Sequence, residues 1–75
     1  MQLEDFVQKI AACFHQTEPA SITAATRFRE LEEWGSMLAL IMIAMIDSDF
    51  NKTMTAEDLK SVNTVAELFE VVKNK

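Results

Sequence analysis

The chain has 75 residues, a formal net charge of -5, 49% apolar residues, one Gly, one Pro, one Cys and no Tyr. That length allows a single domain over residues 1–75 with a small stability margin, and the composition excludes disorder and an all-β sandwich in favour of an all-α fold. Lys and Arg are scattered from Lys9 to Lys75, which excludes the basic footprint of a nucleic-acid interface, and the lone Cys13 excludes a disulfide framework or a multi-cysteine zinc site.

From Leu3 the apolar positions Leu3, Phe6, Val7, Ile10, Ala11 and Phe14 repeat every three or four residues, which predicts a helix from Leu3 to His15. Glu4 and Asp5 stand in its first turn and His15 at its end, where the helix dipole favours them, so His15 reads as a helix terminus and not a catalytic base. Cys13 reads as a small apolar filler on the flank of this helix. The opening residues Met1–Asp5 lack a basic signal-peptide start, and no run approaches the roughly 20 apolar residues of a membrane helix, so a cytoplasmic protein without a membrane span is expected.

Pro19 ends the helical pattern. The long loop that follows, through about Gly35, carries Ile22, Phe28, Leu31 and Trp34 as anchors, with a short helical turn expected between Arg27 and Glu32. At Gly35-Ser36 the sequence turns abruptly apolar. A second helix is expected from Ser36 to about Asp49, with Gly35 or Ser36 as its N-cap and its first backbone N–H groups open toward an anion. Leu40, Ile43, Ile46 or Asp47, and Phe50 form the expected core stripe. Leu38, Ile41 and Met45 form a second stripe, with Met42 between the two, and this second stripe is expected to face solvent or a partner.

Asp47, Asp49, Asn51, Thr55 and Asp58 imitate the oxygen ligands of a calcium-binding loop, but Lys52 stands where Gly is needed and Asp58 where a Glu is usual, so a helix end followed by a helix cap is the preferred reading. Thr55 through Asp58 resembles a capping box and predicts a short third helix from Ala56 to about Ser61. After Val62, Val65, Leu68, Phe69 and Val72 predict a fourth helix capped by Asn63 or Thr64, with Lys73 and Lys75 at its end. The expected architecture is a four-helix bundle with a long loop between helices 1 and 2 and a short third helix.

The order Trp34-Gly35-Ser36-Met37, an apolar helix, Phe50 fourteen places after Ser36, and the pair Thr64-Val65 opening the last helix resembles the acyl carrier proteins over essentially the whole chain. The resemblance implies that Ser36 receives 4′-phosphopantetheine from coenzyme A by the action of a phosphopantetheinyl transferase. The arm's thiol would then carry an acyl group as a thioester between loading and processing enzymes such as ligases and ketosynthases, in fatty-acid, polyketide or related biosynthesis. On this reading the chain is a substrate of enzymes and not an enzyme. The family's Asp-Ser-Leu is Gly35-Ser36-Met37 here, and Leu38 and Ile41 stand where family members present acidic residues. Partner contact is therefore expected through Gly35, Met37, Leu38, Ile41 and Met45, hydrophobic in character, with weak self-association as a side effect. The alternative is an unmodified interaction module that uses the apolar face of helix 2.

Overall fold

The computed structural model describes residues 2–75. Among them the fold is all-helical, with α1 at Leu3–Cys13, α2 at Ser36–Phe50, α3 at Ala56–Lys60 and α4 at Val65–Lys73. Two short 3₁₀ turns, Pro19–Ser21 and Phe28–Glu30, punctuate the connection from α1 to α2. The Cα radius of gyration is 10.9 Å, close to the roughly 11 Å of a folded chain of this length.

α1 stops at Cys13, two residues before the expected end. Phe14 leaves helical geometry at φ -94° and ψ 104° and is buried, 3% exposed. The backbone amides of His15 and Gln16 then donate to the Glu33 carboxylate at 2.8 and 2.9 Å, in place of carbonyls in α1. A carboxylate from another part of the chain thus ends this helix, and His15 lies in the bend beyond it.

Phe6 forms the centre of the core. Its ring lies 5.6 Å from that of Phe50 on α2 and 5.5 Å from that of Phe69 on α4, within the range where tilted and edge-on pairs are favourable. Ile10, Phe28, Met42, Ile46, Leu59, Val65, Leu68 and Val72 are buried around it.

The orientation of α2 differs from the sequence expectation. Leu38, Met42 and Ile46 point inward at 5%, 0% and 0% exposure, whereas Leu40, expected in the core, is 67% exposed. Ala39, Ile43, Met45 and Phe50 flank the buried row. Leu38 therefore does not belong to an outward stripe, and Met45 is half-buried; of the expected outward set only Ile41 is exposed. The physical reason is that α2 is apolar on every side from Met37 to Ile46, so its periodicity carries no preferred phase and only packing chooses one. The helix ends at Asn51 in the left-handed region, φ 56° and ψ 41°, with the Asn51 and Lys52 amides closing onto Asp47 and Ile46 carbonyls, a geometry asparagine tolerates better than most residues.

α3 and α4 are both capped by capping boxes. Thr55 accepts from the Asp58 amide while the Asp58 carboxylate accepts from that of Thr55; Thr64 and Glu67 repeat the arrangement. The next two open amides of α4, those of Val65 and Ala66, donate to the loop carbonyls of Thr26 and Ala24. The start of α4 thus holds the long connection against the body of the fold. Arg29 adds a second tie, its Nη2 donating to the Val62 carbonyl at 2.6 Å and to Asn63 Oδ1 at 3.0 Å.

The segment that imitates a calcium loop is the end of α2 followed by the cap of α3. Asp47 and Asp49 lie within α2, while Asp58 is committed to the Thr55 cap and to an ion pair with Lys75 at 2.8 Å. Among the described residues no group of three or more His, Cys, Asp or Glu is placed to hold a metal ion, and no helix is long and apolar enough to cross a membrane.

Candidate functional site at the start of α2

Gly35 is the N-cap of α2 and Ser36 its first helical residue, with Ser36 exposed. Gly35 offers no side chain to cap the helix, and the first amide to be satisfied is that of Ala39, which donates to the Gly35 carbonyl at 3.0 Å. The amides of Ser36, Met37 and Leu38 have no acceptor within the described chain. This contrasts with α4, whose first amides all find partners. The start of α2 therefore keeps both its hydroxyl and its donors available, and its partial positive charge favours an anion attached there.

Gly35 is fully extended, φ -174° and ψ 179°, and a Cβ built on it meets nothing within 4 Å. The backbone thus does not require glycine, and an aspartate would fit in its place.

Ser36 opens on a cleft of about 490 Å³ between α2, α3 and the Phe28–Glu30 turn, a size typical of small-molecule sites. Trp34, Ala39, Leu40, Ile43, Ala56 and Leu59 form its apolar walls, and Arg29 and Lys60 supply its charged side chains. No His, Asp or Glu lines it.

Two residues hold the approach to Ser36. Trp34 packs edge-on against Phe28, with ring centroids 5.4 Å apart. Glu33 accepts from the amides of His15 and Gln16 and, at 3.0 Å, from the Thr17 hydroxyl. Desolvation raises the Glu33 pKa, but the Gln16 and His15 amides and the Thr17 hydroxyl outweigh it and hold the carboxyl below its ordinary value. Sequence reasoning missed Glu33. Its partners lie 16 to 18 positions away, so no local pattern marks it.

The structure brings Gly35, Ser36, Met37 and Ile41 together on the exposed side of the first two turns of α2 and withdraws Leu38 and most of Met45 from it. Leu40 takes their place. Met37, Leu40 and Ile41, at 74%, 67% and 37% exposure, make a continuous apolar patch beside Ser36 at i, i+3 and i+4 spacing. Comparison of the chain with family models, curated protein sequences and solved structures returned no match.

Proposed function

We propose that the protein is an acyl carrier, a four-helix bundle of the carrier type whose Ser36 is the attachment point of 4′-phosphopantetheine. The observation that carries this reading is the exposed Ser36 hydroxyl at a helix start with three open amides, facing an apolar cleft. In the attachment step, Ser36 Oγ forms a bond to the phosphorus of coenzyme A that bears the pantetheine. The bond from that phosphorus to the bridging oxygen breaks, 3′,5′-ADP leaves, and the hydroxyl proton passes to the transferase. When bound, the arm supplies a thiol on which an acyl group is held as a thioester.

This chain's own residues expose the hydroxyl, place backbone donors beside the phosphate position and offer an apolar wall next to it. Docking of the transferase and of loading and processing enzymes falls to Met37, Leu40 and Ile41, a largely uncharged surface whose contacts should depend weakly on salt. The chain itself catalyses nothing on this reading, and a cytoplasmic location accompanies it.

Incubation with coenzyme A and a broad-specificity transferase is expected to add the mass of one phosphopantetheinyl group to the intact protein and none to Ser36→Ala. Unchanged mass of the folded wild-type protein with several such transferases would refute the carrier role. The exposed Met37, Leu40 and Ile41 patch specifically favours a second reading, an unmodified module that binds a partner or a second copy through α2. It predicts association that Ile41→Glu weakens and Ser36→Ala leaves intact.

A further inference from the structure

Two positive side chains, Arg29 and Lys60, line the cleft beside Ser36, and neither forms an ion pair among the described residues. The chain carries 12 Asp and Glu against 7 Lys and Arg, so carboxylates are in surplus. Its ion pairs among the described residues are Lys9 with Asp49, Arg27 with Glu30, and Lys75 with Asp58. Of the four Lys and Arg without an ion pair among the described residues, Lys52 and Lys73 lie elsewhere, while Arg29 and Lys60 share one apolar cavity, where two positive charges favour an incoming anion. Arg29 is also held in place. Its Nη2 is anchored on the Val62 carbonyl and Asn63, while its covered Nε has no hydrogen-bond partner. The guanidinium is thus held in one orientation, and little further ordering is needed when an acceptor oxygen approaches its open edge.

We propose that this cleft binds an anion with a short apolar chain attached, the anionic oxygens lying at Arg29 and Lys60 and the chain along Leu40, Ile43 and Leu59. The inference rests on the carrier reading only for the source of the anion. The phosphodiester of an arm on Ser36 and a carboxylate on its cargo present the same chemistry.

The test uses Ser36→Ala protein, which no transferase can modify at this site, titrated with hexyl phosphate, hexanoate and hexanol while Trp34 fluorescence and amide NMR shifts are followed. At least one anion is expected to bind about fivefold more tightly than hexanol, with an advantage that shrinks as salt rises and is reduced by Lys60→Gln and by Arg29→Gln. Arg29→Gln also removes the tie to Val62. If that variant unfolds, Lys60→Gln, on an exposed side chain, decides the matter. A preference for phosphate assigns the site to the arm; an equal or better carboxylate assigns it to the cargo. Equal binding of hexanol and the anions, no binding of any of the three, or an anion advantage unchanged in Lys60→Gln overturns the proposal. A transferase assay without added mass removes the carrier reading and leaves this titration valid.

Discussion

Leu38 and Leu40 stand two residues apart on one helix, yet the structure assigns them opposite roles, so replacing each by alanine tests the orientation of α2. Leu38 is 5% exposed among core residues. Its truncation loses the transfer energy of the deleted atoms and leaves a cavity, together about 2.7–5 kcal/mol where the surroundings cannot collapse. The position lies in the first turn, where relaxation is easier, which favours the lower end, about 3 kcal/mol. Leu40 is 67% exposed, and its truncation should change stability by less than about 0.5 kcal/mol. Alanine is at least as good a helix former as leucine, so propensity does not confound either result. A domain of this length has a total stability of roughly 4–11 kcal/mol, so Leu38→Ala removes a large share of it. Urea denaturation followed by far-ultraviolet circular dichroism, at matched slopes, gives both values. Equal losses, or a larger loss at Leu40, would show that α2 packs through the other face and would refute the arrangement of the cleft.

Gly35→Asp is expected to stabilise the fold by about 0.5–1 kcal/mol, because it supplies the missing cap at a position with room for a side chain and stiffens the unfolded chain; an unchanged or lowered melting temperature would count against the open N-terminus described here. Acid should weaken the fold through three carboxyls with lowered pKa. Glu33 is lowered in spite of desolvation by the Gln16 and His15 amides, Asp58 chiefly by the Lys75 hydrogen bond, and Glu67 chiefly by the Asn63 and Thr64 amides. The unfolded chain then binds protons more readily than the folded one, so this stabilisation is complete above the ordinary values of 4.5, 3.8 and 4.5 and is lost as pH falls below them toward the folded-state values; urea midpoints across that range measure it, and Glu33→Gln should flatten part of the slope. Cys13 is buried, and burial first, with the Asp49 charge second, raises its thiol pKa. A thiol-specific reagent near neutral pH should therefore modify it far more slowly in the native protein than in urea, and comparable rates would place the thiol outside the core.

Sequence by itself determined what short-range chemistry controls. Thr55 with Asp58 and Thr64 with Glu67 start helices because each pair closes hydrogen bonds within three residues, and Pro19 breaks the first helical pattern by its own ring. The start of α2 at Ser36 was legible from the switch to apolar residues beside it, whereas its candidacy as an attachment site came from the family resemblance. Tertiary structure alone decided which face of α2 turns inward, because a helix apolar all round has no phase until neighbours such as Phe6 pack against it. It also ended α1 at Cys13, through a carboxylate at Glu33, and it assembled the cleft. Arg29, Leu40, Ala56 and Lys60 line one cavity although they lie on separate stretches of chain. Such proximity is created by burial of the core and leaves no mark in local sequence order.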